Sequence, residues 1–80
     1  KNTEATALIE DKIEEYRNTP YANIVEGSIE ESGLGPGGVF TRASIVENNT
    51  PMNNTKTVTV QVSWASLGNH VFSFQTIVSN

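Results

Sequence analysis

Cysteine is absent from this 80-residue chain, so disulfides, thiolate metal sites and cysteine nucleophiles are excluded. Histidine occurs once, at His70. A single imidazole needs a nucleophile or carboxylate held beside it for acid–base work. The sequence marks none, and His70 reads as a solvent-exposed residue flanking a turn. Basic residues are few: five Lys and Arg stand against nine Asp and Glu, for a net charge of −4. They form no stripe, which argues against nucleic acid as a partner, because phosphate binding needs a basic footprint. Long hydrophobic runs are missing as well. No stretch approaches the roughly 20 apolar residues that span a bilayer, and no signal-peptide pattern is present.

The apolar share is 36%. It stays below the roughly 45–50% usual for globular domains even when glycine is counted in. A single domain of this length buries roughly 60–65% of its unfolded surface. The core is therefore thin, and marginal stability or support from a partner is expected.

What is present is an ordered change of period. Ala5, Leu8, Ile9, Ile13 and Tyr16 recur on one helical face across residues 1–17. Glu4, Glu10, Asp11, Glu14 and Glu15 fall mostly away from it, and Lys12 and Arg17 sit toward the end of the helix, where cations suit its dipole. Asn18 is expected as a left-handed cap, with Pro20 blocking continuation. The helix start carries no capping box, since Thr3 is followed three residues on by Thr6. The chain also opens without Met. Together these lead us to expect a helix cut within its length.

Residues 19–38 form a connector rich in glycine, and a short strand near 25–31 is allowed within it, because a long structureless loop is uncommon. From residue 39 the apolar residues alternate. In the strand expected at 39–47, two inward faces are open: Val39, Thr41, Ala43 and Ile45, or Phe40, Arg42, Ser44 and Val46. The first is favoured because it buries no charge. Residues 47–55 form an Asn/Thr/Pro loop. In the clearest strand, 57–64, Val58, Val60, Val62 and Trp64 share one face, and Thr57, Thr59, Gln61 and Ser63 share the other, polar and wet. The last strand, 70–79, lines up Phe72, Phe74, Thr76 and Val78. A two-residue turn between these strands would mix their faces. A three-residue loop, Leu67-Gly68-Asn69 with Asn69 left-handed, pairs Trp64 with Phe72 and Val62 with Phe74. The hairpin then becomes the platform for Ile9, Ile13 and Tyr16. The expected fold is α+β: one N-terminal amphipathic helix (1–18), the connector (19–38), and a three- to four-stranded antiparallel sheet completed by 39–80.

The chemical motifs are weak. The glycine run from Gly33 to Gly38 precedes a strand, whereas a phosphate cradle precedes a helix, and Pro36 removes an amide. Glu10, Asp11, Glu14 and Glu15 at helical spacing form a solvated face; hard cations want oxygens converging from a loop. Asn48-Asn49-Thr50 and Asn53-Asn54-Thr55 match the glycosylation triplet in an Asn/Thr-rich loop, where chance explains the match. Trp64, alternating with three Val, is a core residue rather than an exposed platform. No constellation supports an enzyme, a metal or a cofactor. A small adhesive or structural module remains.

Residues 7–21 (ALIEDKIEEYRNTPY) resemble the end of the long N-terminal helix of minor pilins. Residues 56–64 (KTVTVQVSW) and 70–78 (HVFSFQTIV) are similar to that group's final hairpin. The nearest group is the type IV pilus modification proteins (PilV-like), with the minor pseudopilins of type II secretion (GspI-like) beside it. The resemblance covers about half the chain. It implies a non-enzymatic bacterial subunit that assembles into, primes or caps a type IV pilus or a type II secretion pseudopilus. It further implies a leader cleaved before a Phe and a hydrophobic helix upstream of Lys1. That helix would anchor the protein in the inner membrane with a periplasmic head, and later pack into a filament at the cell surface. Its assembly glutamate matches no residue of this sequence. Other pilin or pseudopilin subunits are the implied partners, with Glu4, Glu10, Asp11, Glu14 and Glu15 as candidate contacts, and low core content suits a subunit supported by neighbours. The rival reading is a soluble extracytoplasmic module for ligand binding or adhesion.

Overall fold

In the computed structural model, which describes residues 2–80, helix α1 (Asn2–Arg17) precedes four strands. These are β1 (Gly27–Leu34), β2 (Phe40–Asn48), β3 (Thr55–Ala65) and β4 (Asn69–Ser79). The strands form one antiparallel sheet in the order β1-β2-β3-β4. Short 3-10 turns at Tyr21–Asn23 and Pro36–Gly38 flank β1. The fold is α+β, with the N-terminal helix packed on a four-stranded sheet.

The helix forms where its apolar stripe finds that sheet. Ala5, Ile9 and Ile13 are buried, with Leu8 and Tyr16 partly so. They join Ile24, Phe40, Val46, Val58, Val60, Val62 and Trp64 in one core. Trp64 holds one end of it. Its ring meets Phe72 edge-on at 5.3 Å and Phe40 at a tilt at 5.5 Å. The helix does not end on a left-handed Asn18, because Asn18 is not among the positive-φ residues. Asn18 N–H instead donates to the Glu14 carbonyl at 3.1 Å, and the Thr19 hydroxyl donates to the Glu15 carbonyl at 2.7 Å. The threonine hydroxyl occupies a last-turn carbonyl, and Pro20 follows.

The inward face of β2 is the reverse of the one favoured from sequence. Phe40, Ser44 and Val46 are buried, while Val39 lies outside the strand and is exposed. Arg42 shares that inward face without an unpaired charge. It bonds Glu31 on β1 twice and the Leu8 carbonyl once. The β3–β4 loop has the expected three residues, but they are Ser66-Leu67-Gly68, since Ala65 pairs with Asn69. Trp64 therefore faces His70, and Val62 faces Phe72, a register two residues from the expected one. A shift of two keeps every side chain on its face. Positive φ falls on Leu67 and Gly68, not on Asn69. On the outer face Gln61 is exposed, yet Thr59 is buried between its cross-strand neighbours Ile45 and Gln75.

The molecule is long and narrow, with extents of 42 × 21 × 18 Å and a radius of gyration of 13.3 Å; a compact chain of this length would have about 12 Å. The cause is a mismatch of parts. An 11-residue strand runs about 37 Å, whereas a 16-residue helix runs about 24 Å. Four strands span about 15 Å between outer axes, and one helix is about 10 Å wide. A single helix cannot cover this sheet.

Candidate interaction surface

That mismatch leaves one side of the helix open, and charge decides which. On the β1 side, Lys12 is buried on the inner face of α1. Its Nζ lies 3.1 Å from Glu15 Oε2 and 3.6 Å from Glu31 Oε1. Arg42 donates from Nε and Nη2 to the two oxygens of Glu31 at 3.0 and 3.1 Å, and from Nη1 to the Leu8 carbonyl at 2.9 Å. Two cations and two carboxylates thus tie α1 to β1 and β2. The Arg42 hydrogen bond is the leading cause that holds the Glu31 carboxyl below its ordinary value; partial burial opposes it, and the charges of Arg42 and Lys12 assist. The segment after the helix is fixed similarly. Lys56 Nζ donates to the Tyr21 and Ile24 carbonyls at 2.8 and 2.6 Å and lies 4.3 Å from the Tyr21 ring centre.

On the opposite side, α1 and β4 enclose a groove of about 610 Å³. Ile9, Ile13 and Phe72 form its floor, Glu10, Glu14 and Arg17 its helical wall, and Phe74 its strand wall. A smaller hollow of about 250 Å³ continues it past Arg17 to Val78 and Ser79. Phe74 is 46% exposed, although its cross-strand partner Val60 is fully buried in the core.

The five carboxylates singled out from sequence do not form one face. Glu10 and Glu14 line the groove. Asp11 is exposed. Glu15 is engaged with Lys12, on the side of β1, and Glu4 is half-buried. Glu14 lies 3.9 Å from Arg17. Glu10 has no ion pair among the described residues. The structure therefore brings two of the five together at a concave surface and disperses the other three. The groove's strand wall was not singled out from sequence. Its signal was present: 69–79 contains no Asp, Glu, Lys, Arg or Pro.

His70 stacks on Trp64 with ring centres 5.2 Å apart, and its Nε2 lies 2.8 Å from the Ser66 carbonyl, which can accept a ring N–H. Among the described residues no three His, Asp or Glu side chains converge on a point fit for a metal ion. No helix among them is long and apolar enough to cross a membrane. The chain matches no family model, no curated protein and no solved structure.

Proposed function

We propose that this chain is the head of a minor pilin or pseudopilin, a non-enzymatic subunit that assembles into, primes or caps a type IV pilus or a type II secretion pseudopilus. One observation carries the reading. The two segments that resemble minor pilins, α1 and the β3–β4 hairpin, form one packed unit with Ile9 and Ile13 in the same core as Val58, Val60, Val62 and Trp64. The open α1–β4 groove supports it further, because a filament subunit must keep surface for its neighbours. In this reading an upstream apolar helix holds the protein in the inner membrane, the head stands in the periplasm, and other pilin subunits are its partners.

The deciding experiment is fractionation of the native protein, followed by its mass and N-terminal sequence. The reading expects a membrane-bound form that starts with a modified Phe and carries about 20 apolar residues before Lys1. A soluble form starting near Lys1 would overturn it. The groove also favours a second reading, a soluble extracytoplasmic module for ligand binding or adhesion, and that outcome would leave this one standing.

A further inference from the structure

The two edges of the sheet are built differently. Edge strand β1 carries Glu30 and Glu31, glycines at Gly27 and Gly33, and an irregularity between Glu31 and Leu34. Such charges and bulges discourage the approach of another strand. Edge strand β4 has none of them. It runs 11 residues without charge or proline, and its register with β3 is unbroken from Ser79 to Asn69.

The direction of its backbone groups follows from its two ends. Asn80 N–H donates to the Asn54 carbonyl at 3.1 Å, and Ser66 N–H donates to the Gly68 carbonyl at 2.7 Å. Antiparallel ladders alternate hydrogen-bonded and non-bonded pairs. Both ends therefore assign the even residues of β4 to β3. The odd residues Val71, Ser73, Gln75 and Ile77 turn their N–H and C=O groups to the free edge. Beside that row lies the groove, with Phe72 in its floor, Phe74 on one wall and Glu10 on the other.

The geometry points to β4 as a docking edge for an extended segment of another protein. The segment adds as a fifth strand, sets alternate apolar side chains into the groove beside Phe74, and places a Lys or Arg against Glu10. Main-chain bonds to an open edge supply affinity, and alternate side chains in a groove supply selectivity. Charge chooses the occupant. The chain's net charge is −4, and Glu10 lacks a compensating cation among the described residues. A basic segment is attracted, whereas a second copy would bring its own acidic helix to the same place. Val71 and Ile77, 61% and 55% exposed on the other face of β4, extend the apolar contact. The inference stands apart from the filament reading, since any chain with such a segment qualifies.

The test uses a capped nine-residue peptide, TVTKTVTVT, and its charge-reversed counterpart TVTETVTVT. Binding is followed by amide exchange and chemical shifts on the 80-residue chain. The expected result is slowed exchange at Val71, Ser73, Gln75 and Ile77, with the lysine peptide about fivefold tighter than the glutamate one. Glu10→Lys, a change on an exposed helix position, should reverse that order. Ser73→Pro removes an outward N–H that no β3 carbonyl accepts, and should abolish binding. A pair of lysine peptides N-methylated on alternate residues tests the same point without altering the protein: one isomer should bind and the other should not. Failure of the lysine peptide to bind, equal binding of both N-methyl isomers, or protection elsewhere in the chain would overturn the inference. Dimerisation of the chain that protects the same four amides without peptide would also overturn it, in favour of a second copy.

Discussion

Arg42 grips both oxygens of Glu31, at 3.0 and 3.1 Å, while its third nitrogen holds the Leu8 carbonyl of the helix at 2.9 Å. One side chain on β2 thus joins β1 and α1. The Arg42 side chain is 11% exposed and that of Glu31 is 33% exposed. The two ends should therefore respond unequally to removal. Arg42→Ala takes the donor from the Leu8 carbonyl, but Glu31 keeps Lys12 and is exposed enough to rehydrate, so the loss should be about 1–2 kcal/mol. Glu31→Ala leaves two nearly buried cations, Arg42 and Lys12, without the carboxylate they share, and should cost about 2–3 kcal/mol. Urea unfolding of both variants checks the asymmetry, and equal losses would contradict it.

The same pair sets an acid limb of stability. Folding holds the Glu31 carboxyl below its ordinary value of 4.5, chiefly through the Arg42 hydrogen bond. Between the folded and ordinary values the unfolded chain binds more protons, so stability rises with pH there. The contribution is complete above the ordinary value and is lost as pH falls through the folded one. Glu31→Gln should leave a shallower decline in unfolding free energy than the parent shows as pH falls below the ordinary carboxyl value of 4.5. Parallel pH profiles for the two proteins would show that Glu31 contributes nothing to that limb.

Gly35 is the glycine that the core needs. Its φ is +70°, and an added Cβ would stand 2.7 Å from Phe40 Cδ2, in a ring that is 1% exposed. Gly33 has the same φ but open space around it. Gly33→Ala should cost about 1–2 kcal/mol, from backbone strain alone. Gly35→Ala adds overpacking and should cost about 2–4 kcal/mol. Thermal unfolding of the pair separates conformation from crowding, and similar losses would remove the steric argument.

The helix and the central hairpin were legible in sequence because each has a strong period. Ala5, Ile9 and Ile13 mark 3.6, and Val58, Val60, Val62 and Trp64 mark 2. Period alone cannot fix register, since a slip of two residues preserves both faces, and so the ladder pairs Trp64 with His70 rather than with Phe72. The face of β2 was misread for a different reason. A rule against burying charge works only when the charge is alone, and Arg42 finds Glu31 in a segment whose sequence carried little pattern. The α1–β4 groove is a property of widths: four strands under one helix. No single residue signals it, although the uncharged run of β4 does.

Ser44 is 1% exposed on the helix side of the sheet, and its hydroxyl has no hydrogen-bond partner among the described residues. A buried hydroxyl without a partner forfeits its hydration and gains nothing back. Ser44→Ala removes that cost at nearly constant volume and should be neutral or stabilising, by up to about 1 kcal/mol. Ser44→Val fills more space than the site offers and should destabilise by about 1–3 kcal/mol. A clear loss in the alanine variant would mean that the hydroxyl is bonded after all.

Leu67 combines two unfavourable features at the tip of the β3–β4 hairpin. Its φ is 54°, in the left-handed region, and its side chain is fully exposed at 109% of the reference area. Leucine in that region strains Cβ against its own carbonyl, whereas asparagine tolerates it and can bond its backbone locally. Nothing is lost with the side chain, because it touches no core. Leu67→Asn should therefore stabilise the chain by about 0.5–1 kcal/mol, read as a higher urea midpoint at unchanged slope. The gain requires that the loop remain Ser66–Gly68, so nuclear Overhauser contacts between Trp64 and His70 should persist in the variant. A lower midpoint with those contacts intact would show that Leu67 holds the turn by some means other than its conformation.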